Sequence, residues 1–126
     1  MPIYAIWDDP QHTILRLECR GRWTWKELDA AWEVLRSAVA TNPPYLDFIF
    51  DVTNSTLMPP DIGYRLRNGQ YTIGRADSMR VIVGADKFFQ LMIEFITRVF
   101  SNNQVRFVDN LEEARSLIAE VRQVRA

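Results

Sequence analysis

Residues 45–63 read YLDFIFDVTNSTLMPPDIG, from Tyr45 to Gly63, and their reading decides the fold. Leu46–Val52 is apolar and aromatic, with Asp47 in its interior and Asp51 near its end. Such a run suits a central strand covered on both faces. Thr53-Asn54-Ser55-Thr56 supplies turn chemistry, because short polar side chains bond their own backbone. Pro59-Pro60 followed by Asp61 marks a helix start. Proline needs no N–H in the first turn, and an acid there meets the positive end of the helix dipole.

Working outward, the N-terminal side reads as a hairpin and a helix. Ile3, Ala5 and Trp7 alternate with Tyr4 and Ile6, the period of a strand. Asp8–Gln11 turns the chain, and Thr13–Cys19 alternates as its partner. Arg20-Gly21-Arg22 breaks that pattern. Thr24 and Glu27 have the spacing of a capping box, with Trp23 and Leu28 placed as its hydrophobic staple. Trp25, Leu28, Trp32, Leu35 and Val39 then form one apolar helix face, and Asn42-Pro43-Pro44 ends the helix.

On the C-terminal side, a weak helix follows Pro60, interrupted by Gly63, Gly69 and Gly74. Met79–Val83 reads as a short buried strand, Lys87–Phe100 as an apolar helix and Gln104–Val108 as a last strand. Asn110 and Glu113 cap a final helix whose buried face is Leu111, Ala114, Leu117, Ile118 and Val121. The order β-β-α-β-α-β-α-β-α gives an α/β fold. It implies a mixed, mostly parallel five-stranded sheet with four helices, in a single domain over residues 1–126.

Composition narrows the chemistry. With 48% apolar and 25% charged residues, the chain is long enough to bury a core without staples. A net charge of −1 disfavours a binder of nucleic-acid phosphates. Cys19 is the single cysteine and His12 the single histidine, so no intrachain disulfide forms. A zinc site draws on several Cys, His or carboxylate ligands, and this chain has one each of the first two; Ser-His-Asp and Cys-His systems would both need His12. The N-terminus lacks the order of a signal peptide, and no segment is apolar enough to span a membrane. These features lead to the expectation of a cytoplasmic protein with no cofactor and no metal.

The residues that carry a family likeness are spread along the chain. Gly21 follows the second strand, and Asp51 ends the third. Arg80-Val81-Ile82-Val83-Gly84 is followed by Asp86, and Arg106-Phe107-Val108 by Leu111-Glu112-Glu113-Ala114-Arg115. In this order they resemble the STAS superfamily, named for sulfate transporters and anti-sigma-factor antagonists, and its SpoIIAA-like (STAS/Sec14) branch. The resemblance covers roughly residues 12 to 121. It implies a non-catalytic regulatory or protein-interaction module. It also implies an Asp-Ser pair beginning eight residues after Asp51 and opening the next helix, whose serine a partner kinase phosphorylates. Pro59 and Pro60 stand there, so the chain lacks that phosphoacceptor.

Three sets of residues are candidate sites. The strand-to-helix junction, Asp51, Asn54, Ser55, Thr56 and Asp61, is where the resemblance implies partner binding. In the helix after Lys87, apolar side chains fill roughly 200° of arc, against the 100–140° a core-facing helix needs. The excess flank, Phe89, Ile93, Ile96 and Phe100, suggests self-association as a homodimer. The alternative function is a carrier or sensor of a small apolar ligand or lipid, with Trp7, Trp25, Trp32 and Phe48 lining the pocket; core packing is the blander use of those aromatics. The Gly84-Ala85-Asp86-Lys87 turn could offer amides to an anion, but Asp86 would repel it.

Overall fold

The computed structural model describes residues 3–40, 46–57, 78–91, 94 and 104–125. The described residues hold seven strands: β1 (Ile3–Trp7), β2 (Ile14–Cys19), β3 (Gly21–Arg22), β4 (Asp47–Asp51), β5 (Ser55–Leu57), β6 (Met79–Val83) and β7 (Gln104–Val108). The helices are α1 (Trp25–Ala40), α2, which opens at Lys87 and is helical over 87–91 and at 94, and α3 (Leu111–Arg125). The described residues therefore hold three of the four expected helices. The helix expected after Pro60 lies outside them.

The main sheet has five strands in the order β1-β2-β4-β6-β7. β1 and β2 form an antiparallel hairpin, with Ile3 opposite Cys19 and Trp7 opposite Leu15. The remaining pairs, β2 with β4, β4 with β6 and β6 with β7, are parallel. This mixed sheet is the one the element order implies.

Alternation along the strands divides the core into two layers. On one face, Leu15, Leu17, Phe48 and Ile82 pack with Leu28, Trp32 and Leu35 of α1 and Phe89 of α2. On the other, Ile14, Ile49, Met79, Val81 and Val83 pack against Ala114 and Ile118 of α3. β4 contributes to both layers, with Phe48 and Ile49 fully buried on opposite sides. That is the physical reason its sequence is so continuously apolar.

Helix entry is set locally. The Glu27 N–H donates to Thr24 Oγ1 at 3.3 Å, while the Thr24 N–H donates to Glu27 Oε1 at 2.9 Å. Trp23 and Leu28 are both buried, as a staple requires. At α3 the Glu113 N–H donates to Asn110 Oδ1 at 2.9 Å, and Glu113 Oε2 accepts from the Asp109 N–H at 2.9 Å. The second carboxylate contact thus lies one residue earlier than the standard box.

Two expectations are corrected here. Arg20-Gly21-Arg22 does not simply break the pattern, and Ser55 and Thr56 are not turn residues. Gly21–Arg22 and Ser55–Leu57 pair in parallel as a small second sheet. Gly21 makes this possible by adopting φ 60°, a left-handed conformation that costs glycine little.

Asp47, expected as the interior charge of β4, is fully buried. It accepts from the Met79 N–H and from Arg122 Nε of α3, each at 2.8 Å. Arg122 also donates to Thr13 Oγ1 and to the Thr13 carbonyl. A charge in the central strand is thus compensated by an arginine far away in sequence, as a buried carboxylate requires. No helix among the described residues is long and apolar enough to cross a membrane.

Candidate functional site at the carboxyl ends of the central strands

The chain leaves β4 at Asp51 and is pinned over the next four residues. Asp51 Oδ1 accepts from the Thr53 N–H at 3.0 Å, closing an Asx turn. The Val52 N–H donates to the Val83 carbonyl at 3.0 Å, and the Ser55 N–H to the Val52 carbonyl at 3.1 Å. The Gly21 N–H donates to the Asn54 carbonyl at 2.8 Å. Trp23 Nε1 donates to Ser55 Oγ at 2.8 Å. Thr53 and Asn54 project as an exposed tip above these contacts, while Val52 is buried below them.

Parallel register places the end of β2 beside this turn, with Glu18 level with Asp51. A small open cleft results, lined by Glu18, Cys19, Arg20, Asp51 and Asn54. Its volume of about 30 Å³ is room for only a few water molecules. Glu18 is engaged there by Arg16 Nε at 3.0 Å and Arg20 at 2.7 Å. Burial, with the nearby charge of Asp51, pushes the Cys19 thiol up to about 12. A thiol held neutral at physiological pH is a poor nucleophile and a poor metal ligand.

The β6–α2 loop borders the turn on its other side. Gly84 adopts φ 75° and its Cα packs on Thr53, so a Cβ there would lie 2.3 Å from Thr53 Oγ1. Asp86 caps α2, its Oδ1 accepting from the Phe89 N–H at 2.8 Å. The amide an anion would need is therefore held by a carboxylate, which agrees with the argument against an anion at this turn.

The sequence-derived candidates fall out as follows. Asp51, Asn54 and Ser55 converge at the junction, and Thr56 lies in β5 beside them. Asp61 lies outside the described residues, as do Ile93, Ile96 and Phe100. Phe89 is corrected: instead of standing on the outward flank of α2, it is buried at 8% exposure in the α1-side core. The large apolar side chains that α2 exposes are Phe88 at 76% and Leu91 at 56%.

Trp7, Trp25, Trp32 and Phe48 do come together, but as packing. Phe48 and Trp32 are buried members of the core, and Trp7 and Trp25 pack against it. Trp32 stacks on Phe50 at 5.6 Å, and Phe50 in turn on Phe48 at 6.3 Å. These contacts fill the layer under α1 and lend no support to an apolar ligand site.

His12 occupies the hairpin with φ 58° and stacks on Trp7 at 4.5 Å with nearly parallel rings. Among the described residues no group of three His, Cys, Asp or Glu side chains could hold a metal ion.

Glu18, Cys19, Arg20 and Trp23 belong to the junction, yet sequence reasoning assigned them only to the hairpin and the helix entry. Their place depends on β2 pairing with β4, and on an indole reaching a serine 32 residues away. Parallel strand order was the one signal that pointed there, because loops at the carboxyl ends of parallel strands gather on one edge. Comparison of the chain with protein-family models, with curated proteins and with solved structures finds no match.

Proposed function

We propose that the chain is a STAS-like, non-catalytic regulatory module that docks a protein partner at the β4–β5 turn. One observation carries this reading: Thr53 and Asn54 form an exposed tip on a turn held by four hydrogen bonds to its backbone and one to the Ser55 side chain. A rigid projecting turn presents side chains to a partner with little ordering cost. The inert Cys19 thiol and the engaged Glu18 carboxylate make the adjoining cleft unsuited to nucleophilic or acid–base work.

The family's phosphoserine position is occupied by proline, so recognition here rests on shape and on the charges of Asp51 and Arg20. Ser55 is a poor substitute acceptor. Its Oγ is bound by the Trp23 indole.

The test is a pull-down from the source cell with wild type and a Thr53→Arg/Asn54→Arg double variant. We expect a specific partner on wild type and a loss of at least about tenfold in its recovery on the variant, with circular dichroism showing that the variant is folded. Equal recovery on both, or no specific partner on wild type, would sink the proposal.

A further inference from the structure

We infer that the outer face of α2 is a self-association surface, which pairs antiparallel with the same face of a second copy of this chain. Lys87, Phe88, Leu91 and Glu94 are all exposed, while Phe89 turns into the core. At about 100° per residue, Lys87, Leu91 and Glu94 share one stripe of the helix and Phe88 flanks Leu91. Two large apolar side chains at adjacent helix positions, 76% and 56% exposed, make a compact patch rather than scattered single residues.

The charges around the patch select its occupant. Lys87 lies below Leu91 and Glu94 above it, on the same side of the stripe. A two-fold axis perpendicular to α2, level with residues 90 and 91, reverses the second helix and keeps each flank on its own side. Lys87 of either copy then comes level with Glu94 of the other, twice over. Leu91 meets Leu91 near the axis, with Phe88 beside it. A parallel arrangement would set Lys87 against Lys87 and Glu94 against Glu94, and like charges repel.

The patch is therefore complementary to itself in one orientation only. Glu94 also has an interaction within its own chain, and a carboxylate can accept from more than one donor. A net charge of −1 leaves little long-range repulsion between copies.

The experiment is sedimentation velocity on the full chain over a concentration series reaching about 100 µM, with circular dichroism to confirm that each variant is folded. Wild type is expected to dimerise. Leu91→Asp should weaken the dimer by at least about tenfold, and Lys87→Glu alone or Glu94→Lys alone should weaken it less. The double variant Lys87→Glu/Glu94→Lys should recover the wild-type constant, because the pair is restored with its signs exchanged.

A wild type that stays monomeric overturns the inference. So does a dimer that survives Leu91→Asp, or a double variant no better than the singles. All four side chains are exposed, so folding tolerates the substitutions. None of them alters Thr53 or Asn54, so partner capture at the turn is a separate readout.

Discussion

Two glycines illustrate how much a single residue's surroundings matter. Gly21 and Gly84 both have positive φ, 60° and 75°. A Cβ on Gly21 would meet nothing within 4 Å, whereas one on Gly84 would collide with the backbone and hydroxyl of Thr53. Gly21→Ala should therefore cost about 1 kcal/mol, the left-handed backbone penalty alone. Gly84→Ala should cost about 2–4 kcal/mol and disturb the Thr53 turn as well. Denaturant midpoints at unchanged slope measure both, and equal losses would show that the two loops are not packed as described. The positive φ at Gly84 could be suspected from a glycine after a strand. The close approach of Thr53 could not, because the two residues meet only when β4 and β6 pair.

At the scale of elements, helix starts were written in the sequence and helix orientation was not. The Thr24–Glu27 box satisfies backbone groups within one turn of α1, so its spacing alone revealed it. Thr24→Ala should lower stability by about 1 kcal/mol, and Thr24→Ser should restore most of that loss. Thermal melts of the two variants check this. If both variants lose the same amount, the hydroxyl is not the cap. α2 is the opposite case. Its residues are apolar nearly all round, so periodicity could not tell which flank meets the sheet, and Phe89 was placed outward when it is buried. The side facing the core follows from where β6 ends and β7 begins, which is tertiary information. β3 and β5 were missed for the same reason: two or three residues carry no period, and their pairing is long-range.

At the scale of the whole molecule, ion pairs tie α3 to the hairpin. Asp8 accepts from Arg115 Nε and Nη2 at 2.9 Å each, 107 residues apart in sequence, and also from Arg16. Burial opposes the ionisation of Asp8, but the hydrogen bonds and charges of Arg115 and Arg16 outweigh it and hold the carboxyl below its ordinary 3.8. Asp9 is likewise lowered, with burial overcome by bonds from Thr13 and from the Ile14 backbone. A depressed carboxyl contributes stability that is present in full above 3.8 and lost as pH falls through the lower folded value. Acid unfolding should therefore steepen below about pH 4. Asp8→Asn should flatten that limb and cost about 1–2 kcal/mol at neutral pH, a modest figure because Arg115 is half-exposed. Melting temperatures of wild type and variant between acid and neutral pH check it. Parallel curves would mean the pair contributes nothing.

The sequence by itself determined the order of the five main-sheet strands with α1, α2 and α3, the central place of β4, and the capping residues that open α1 and α3. Each depends on neighbours in the chain, through alternation or capping distance. Only the tertiary structure decided which residues share the junction, which side of α2 faces out, and how Asp47 is neutralised in the core by Arg122. Those depend on strand pairing and layer packing, which bring together residues that no local pattern relates.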